Sequence, residues 1–193
     1  MKFWKRTLGI TITTMSLALA GCSSSPKQGR AKEPPMQTAP MMAASAIAVL
    51  HPTAGHNVTG VVRFTQTGTA VRVVADVKGL TPNSVHAWHI HEFGDCSAPD
   101  AMSAGGHFNP QRHPHAGPMV AMRHAGDFGN LTSNADGVAH LDLTLEGLTI
   151  RGRANAILGR AVIVHDKPDD LVSQPAGNAG PRAACGVIGI AKN

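Results

Sequence analysis

The chain has 193 residues, enough for one domain with extensions, and a formal net charge of +5. Three of its basic residues, Lys2, Lys5 and Arg6, stand in residues 1–21, which carry no acid, so removing that segment from the +5 leaves +2. A charge this small gives no reason to expect a nucleic-acid partner, and we predict none. Charged residues make up only 15%, whereas Gly and Pro number 21 and 13, a turn-rich composition that favours short strands over long helices.

The N-terminal residues are typical of an export signal. A basic start precedes an uncharged, mostly apolar stretch at 8–20 that is too short to span a bilayer. It ends in Leu19-Ala20-Gly21-Cys22, which resembles the lipobox of bacterial lipoproteins, where cleavage leaves a lipid-bearing Cys. We therefore predict a signal peptide over 1–21 and a lipid anchor on Cys22 that holds the protein to a periplasm-facing membrane of the bacterial cell envelope. An ordinary signal peptide with an incidental Cys is the alternative.

Residues 22–45 are predicted to form a flexible tether, because small residues, Pro and scattered charges predominate there. The tether contains Met36, Met41 and Met42, whose thioethers suit Cu(I). A disordered linker that happens to contain Met is the simpler interpretation. The remaining residues, 46–193, are predicted to form the folded domain.

The cysteines indicate a disulfide in that domain. If Cys22 carries lipid, Cys96 and Cys185 are the two cysteines that remain. In an exported chain such a pair predicts a disulfide bond, with two free thiols as the alternative.

The domain itself is predicted to be β-structure. Val-rich and alternating segments, several bounded by turn signals, predict strands in this order: 58–64, 70–77, 85–91, 138–145, 161–164 and 186–191. Between them lie polar, Gly- and Pro-rich stretches at 92–135 and 166–184, and loops this long inside a compact domain are usually functional. The pattern predicts an all-β antiparallel sandwich or barrel with two long functional loops.

Histidine is unusually frequent, with 11 residues in the chain. His89 and His91 are two apart on a predicted strand, so they point to the same face, and His165 ends a later strand. The first long loop adds a run of further candidate ligands: His107, His113, His115, His124 and Asp127. Imidazoles with one carboxylate suit zinc or copper. Spacing alone does not decide between one metal and two, and a solvated His-rich loop is the alternative.

Four motifs resemble those of the copper/zinc superoxide dismutases: HIHEFGD at 89–95, GHFNP at 106–110, GNAGPR at 177–182 and ACGVIGI at 184–190. They agree in order and spacing, and the resemblance covers residues 46–193, so the chain is identified as a member of this family in its bacterial lipoprotein form. The resemblance implies a Greek-key β-barrel or sandwich of about eight antiparallel strands. It also implies an enzyme that converts superoxide to dioxygen and hydrogen peroxide, with copper and zinc as cofactors.

The resemblance assigns residues by motif. It implies four copper ligands, His89, His91, His107 and His165, and four zinc ligands, His107, His115, His124 and Asp127. His107 would thus bridge the two metals and also pass a proton to the product. Asp169 is implied to link ligand histidines of the two metals, and Arg182 to receive the anion beside the copper. Family spacing favours His115 over the nearby His113.

The remaining histidines are expected to have no part in the site. His86 matches a structural strand position of the family, and we expect His51, His56 and His140 at the surface.

The resemblance leaves two properties of the protein open. The second loop is short at 171–176 and lacks the charged guide residues of the eukaryotic enzymes, so it leaves open how superoxide is steered. A homodimer is an option that the resemblance allows, because bacterial relatives differ in oligomeric state.

Two other functions fit the same fold. One is a periplasmic copper/zinc buffering or delivery protein, and the other is a member with a structural role only. A structural member should lack ligands, whereas all the ligand positions are filled. A metal-buffering or delivery protein would not need Arg182, which the resemblance assigns to receiving the anion.

Overall fold

A computed structural model describes residues 44–152 and 154–192. It contains eight strands: β1 (Ser45–Pro52), β2 (Thr59–Thr67), β3 (Ala70–Lys78), β4 (Val85–His91), β5 (Asp127–Thr132), β6 (Val138–Glu146), β7 (Ala161–His165) and β8 (Arg182–Ile190). A 3-10 turn at Met102–Ala104 is the one helical element in this part of the chain. None of the described residues forms a helix long and apolar enough to cross a membrane. The predicted signal peptide, Cys22 and nearly all of the predicted tether lie outside the described ranges.

All neighbouring strands pair antiparallel, in the spatial order β5-β4-β7-β8-β1-β2-β3-β6. The strands at the two ends of this order, β5 and β6, approach each other, so the sheet curls into a nearly closed barrel. The predicted all-β antiparallel fold is confirmed. Closing a sheet in this way removes exposed strand edges, which would otherwise pair with other chains.

Alternate side chains of the strands fill the barrel. Phe64, Val73, Trp88, Leu145 and Ile188 are all at most 2% exposed and belong to one core cluster. The interior is built mostly from small and medium apolar residues with few aromatic rings, in line with the aromatic content of 4% in the chain. Trp88 packs its ring edge-to-face on Phe128, with ring centroids 5.0 Å apart.

Two strands were not predicted from the sequence. β1 is held between β2 and β8, so its pairing on both edges compensates for its alanines and its terminal His-Pro. β5, at 127–132, falls inside the stretch predicted to be the first loop, and that part of the prediction is wrong. Its Gly and Asn disfavour a strand, but it pairs with β4 along its length and buries Phe128 and Leu131. The predicted second loop also ends early, because β8 begins at Arg182.

The two loops, 92–126 and 166–181, lie over the outer face of β4, where Gly105 of the first loop contacts His91 and Asp169 of the second loop contacts His89. A disulfide between Cys96 and Cys185, with 5.8 Å between their Cα atoms, ties the first loop to β8 and confirms the predicted pairing. Around it, Ala101 and Ala104 of the loop pack on Ile163 of β7. The first loop is therefore attached to the barrel both covalently and by apolar packing.

Candidate metal centre

The strand β4 carries two histidines into the space beneath the loops. Trp88 and Ile90 of this strand enter the barrel core. His89 and His91 alternate with them and so project from the opposite face. Both are at most 1% exposed, because the loops cover that face. An outer face of a barrel strand that is this thoroughly buried indicates a site and not a solvated surface.

Backbone pairing brings the first loop onto the end of β4. The N–H of Phe108 donates to the carbonyl of Ile90 at 2.9 Å, and the N–H of Ile90 donates to the carbonyl of Gly126 at 2.9 Å. Gly126 must be glycine, since a Cβ there would collide with the carbonyl oxygen of Ile90. This pairing sets His107 and Asp127, each adjacent in sequence to a paired residue, against the β4 histidines.

Four histidines each place one possible ligand nitrogen within 4.8 Å of the others: His89, His91, His107 and His165. One nitrogen of each ring is buried without a hydrogen-bond partner, namely Nδ1 of His89 and Nε2 of the other three. Buried polar atoms are rarely left unpaired in folded proteins, so four such atoms in one place require an explanation. A metal ion bound by four imidazoles supplies one.

The second nitrogen of each ring has an acceptor that fixes its orientation. The pairs are His89 Nε2 with Asp169 Oδ2 at 2.9 Å, His91 Nδ1 with the Gly105 carbonyl at 2.9 Å, His107 Nδ1 with Asp127 Oδ1 at 2.9 Å, and His165 Nδ1 with the Gly180 carbonyl at 3.2 Å. Burial lowers the pKa of all four rings, that of His165 to about 3 and that of His107 to about 4. The rings are therefore neutral near pH 7, and each can offer a lone pair.

A second group adjoins the first through His107 and consists of His107, His115, His124 and Asp127. The Oδ1 atom of Asp127 lies 2.9 Å from Nδ1 of His107, 3.0 Å from Nδ1 of His115 and 3.2 Å from Nδ1 of His124. Ligand atoms about 2.1 Å from a tetrahedral zinc ion are about 3.4 Å apart, so four atoms at this spacing fit such a site. The contact between Nδ1 of His115 and Oδ1 of Asp127 does not have hydrogen-bond geometry. This nitrogen is buried without a hydrogen-bond partner.

The carboxylate in this group is ionised. Burial raises the pKa of Asp127, but the hydrogen bond with His107 and the close approach of the His115 and His124 rings hold it far below its usual range. Its Oδ2 also accepts the backbone N–H of His124 at 2.9 Å and that of Ala116 at 3.1 Å. A charged oxygen held in this way is a suitable ligand for a divalent cation.

Asp169 connects the two groups. Its Oδ2 accepts from Nε2 of His89 at 2.9 Å and its Oδ1 from Nε2 of His115 at 2.8 Å. The side chain is fully buried. Gly177 packs so closely on the carboxylate that a side chain there would overlap its Oδ1 atom. Carboxylates in this position orient ligand imidazoles and set their tautomer.

Gln174, which the sequence analysis did not single out, also holds the second group. Its Oε1 accepts the backbone N–H of His115 at 2.7 Å, and its Nε2 donates to the His115 carbonyl at 2.8 Å. The short second loop thus contributes to the site through this amide. No feature of the sequence distinguishes Gln174 from other polar loop residues.

A pocket of about 770 Å³ opens beside the first group, and its lining includes His91, His107, His165 and Arg182. The Arg182 guanidinium donates from Nη1 to the Ala101 carbonyl and from Nη2 to the Gly105 carbonyl, both at 2.6 Å. Burial lowers the pKa of Arg182, but a guanidinium stays charged at any physiological pH. The pocket therefore combines an entrance for a small anion with a fixed positive charge.

The other histidines divide as follows. His51 and His140 are exposed, as predicted, and His113 belongs to neither group. His86 is buried and bonds the backbone carbonyl of His165 at 2.9 Å, in keeping with a structural position. The surface prediction for His56 is wrong, because this residue is partly buried and lines the pocket. His56 is far in sequence from the four motifs, so no sequence pattern indicated that it lines the pocket.

The fold and these two groups define a class of protein: a β-barrel metalloprotein with adjoining sites suited to copper and zinc. Residues 58–188 match the family described as "Copper/zinc superoxide dismutase (SODC)". The chain is 41% identical over 156 residues to "Extracellular superoxide dismutase [Cu-Zn]" of Brugia pahangi, covering 76% of each chain. It is also 41% identical over 160 residues to "Superoxide dismutase [Cu-Zn]" of Onchocerca volvulus, covering 77% of this chain and 98% of the relative.

The chain belongs to the copper/zinc superoxide dismutase family. It is an oxidoreductase whose cofactors are copper and zinc and whose substrate is superoxide. The predictions of family, activity and cofactors are confirmed.

Proposed function

We propose that this dismutase binds copper through His89, His91, His107 and His165 and zinc through His107, His115, His124 and Asp127. The observation that carries this assignment is the set of four buried ring nitrogens without partners, next to a second group centred on Asp127. When bound, copper supplies one-electron redox chemistry, whereas zinc supplies fixed charge without redox chemistry. We assign Asp169 the role of orienting His89 and His115 toward their metals.

Arg182 binds the anion in this proposal. Its donors are held by two loop carbonyls, so the guanidinium keeps its position in the pocket wall. The Gly105 carbonyl that accepts from Arg182 also accepts from Nδ1 of His91. Arg182 and a proposed copper ligand are therefore tied to one backbone atom. A superoxide anion beside Arg182 would then lie next to the His91 ring.

His107 moves a proton in this proposal. Two superoxide anions and two protons give one dioxygen and one hydrogen peroxide, so each cycle must deliver protons to the reduced anion. The Nε2 atom of His107 lies toward the first group, and this residue lines the pocket. A proton on this nitrogen would therefore face an anion bound in the pocket.

Metal analysis of a matched pair of variants tests the ligand assignment. His115→Ala should lose most of its zinc, whereas His113→Ala, two residues away in the same loop, should keep about one copper and one zinc per chain. Zinc retained equally in both variants would contradict the assignment of His115. A protein that binds only zinc after loading with both ions would contradict the two-metal site.

We also propose that the protein is exported and anchored by lipid on Cys22 in the bacterial cell envelope, facing the periplasm. The lipobox-like Leu19-Ala20-Gly21-Cys22 supports the anchor, with 1–21 as the signal peptide, 22–45 as the tether and 46–193 as the enzyme domain. The Cys96–Cys185 disulfide and the relative named as extracellular support export. Cys22→Ser should move the protein from the membrane fraction to the soluble fraction. Unchanged membrane association would contradict the anchor.

A homodimer is the oligomeric state that we propose. Apolar side chains are exposed on adjoining strands, Val49 on β1 and Val187 on β8, with Phe93 just beyond β4. A patch of this kind is typical of a surface that is covered in an assembly. Sedimentation should show dimers for the wild-type domain and monomers for Val187→Glu. A wild-type domain that remains monomeric at high concentration would contradict the proposal.

A further inference from the structure

The turn between β1 and β2 forms a wall of the pocket that none of the family motifs includes. Thr53, Ala54 and His56 all line the pocket. Backbone bonds anchor this turn, from the N–H of Thr53 to the Ala183 carbonyl at 3.1 Å and from the N–H of Ala54 to the Pro99 carbonyl at 2.8 Å. The turn is thus fixed to β8 and to the first loop, next to Arg182.

We infer that His56 is a positioning residue of the anion site, where its charged ring neutralises Asp166 and supports the backbone of Arg182 through Thr53. This inference rests on the proposed role of Arg182. It goes beyond that role by assigning the electrostatic balance of the pocket to a residue outside the metal groups.

Three hydrogen bonds carry the inference. The hydroxyl of Thr53 is 2.6 Å from the Arg182 carbonyl, which can only accept, so the single hydroxyl proton points there. Nδ1 of His56 lies 2.8 Å from the same hydroxyl oxygen and must therefore donate to it. Nε2 of His56 lies 2.9 Å from Oδ2 of Asp166, and a carboxylate can only accept. Both ring nitrogens thus face groups that can only accept from them, and only an imidazolium ring satisfies both contacts.

The position of Asp166 gives this charge its importance. Asp166 follows His165 directly, and its side chain is 37% exposed. Its backbone N–H donates to the Pro181 carbonyl at 3.0 Å, which holds it beside the residue that precedes Arg182. A carboxylate here without a partner would repel an incoming superoxide anion.

The charges near the pocket are otherwise balanced. Of the charged side chains that line the pocket, Arg182 and Asp100 offset each other. Asp166 adjoins the pocket through its contact with His56. The protonated His56 ring therefore determines whether the Asp166 carboxylate adds an uncompensated negative charge at the entrance. Residues 171–176 of the second loop carry no charged side chain, which increases the weight of this one residue.

A charge-balance series tests the inference on the holoenzyme. His56→Gln should lower the second-order rate constant about two- to fivefold at low ionic strength, and should weaken binding of azide, an anion probe, by a similar factor. The double variant His56→Gln/Asp166→Asn restores a neutral pair and should recover most of the loss. The control is His140→Gln, which removes another His–Asp pair, with Asp76 on the exposed sheet, and should change neither quantity. Equal copper and zinc content in all variants would show that the sites are intact.

A packing role predicts a different pattern, in which the single and double variants are equally impaired at every salt concentration. That result would overturn the inference, as would a wild-type rate in His56→Gln.

A readout independent of activity is the 15N spectrum of the imidazoles in the reduced, diamagnetic holoenzyme. It should show protons on both ring nitrogens of His56, and a single protonated nitrogen would also overturn the inference. If Arg182→Ile itself leaves the rate unchanged, the proposed anion site fails. If only the His56 series fails, the anion site stands without it.

Discussion

Replacing Arg182 with Ile should slow superoxide dismutation while both metals stay bound. Arg182 contacts the first loop and the pocket but belongs to neither group of candidate ligands. Two unit charges about 4 Å apart interact by about 1 kcal/mol in bulk water and about 4 kcal/mol at an effective dielectric of 20. Arg182 is only partly buried, beside an open pocket, so the lower half of this range applies, and a loss of about 1–2 kcal/mol corresponds to a roughly tenfold slower reaction.

The assay should separate charge from packing. Second-order rate constants for superoxide decay, measured across a range of ionic strength, should fall with salt in the wild type and less in Arg182→Ile. Arg182→Lys keeps the charge but loses the planar fork that reaches both the Ala101 and Gly105 carbonyls, so it should retain part of the rate. Equal rates for wild type and Arg182→Ile at every ionic strength, with intact metal content, would refute this reasoning.

Three further predictions concern the metal groups. Asp169→Asn can no longer accept from both His89 and His115, so we expect about 10- to 100-fold weaker metal affinity in competition titrations, and unchanged affinity would contradict the linking role. Gln174→Ala removes two hydrogen bonds to the His115 backbone and should weaken zinc binding about fivefold in a chelator titration while leaving copper affinity near that of the wild type. For the metal-free protein, burial lowers the pKa of His107 from 6.5 to about 4, so the unfolded state binds more protons between these values. The contribution of His107 to stability is therefore present above pH 6.5 and is lost as the pH falls toward 4. Urea denaturation of the metal-free protein should show a free energy of unfolding that falls over this range. A free energy that does not change with pH would contradict this.

Most of the site could be predicted because its chemistry is concentrated in short motifs. The alternation of His89 and His91 with apolar residues on a strand already implies one shared face, and the structure shows that face buried beneath the loops. The cysteine pairing followed from counting residues in an exported chain. The strands with strong β-branched patterns were located to within a few residues.

The features that were missed depend on tertiary contacts. β5 contains Gly129 and Asn130, which disfavour strands, and only its pairing with β4 makes it one. Gln174 and His56 act through partners far away in sequence, the His115 backbone and Asp166. No local pattern encodes such contacts, so a single sequence cannot reveal them.

The most direct test of the central claim is the rate of superoxide decay catalysed by protein with known metal content, before and after selective removal of copper. We expect about one copper and one zinc per chain in the loaded enzyme, with rapid catalysis that disappears with the copper and returns when copper is added back. A fully loaded protein that binds both metals but does not accelerate superoxide decay would contradict the assignment of these residues to a dismutase site.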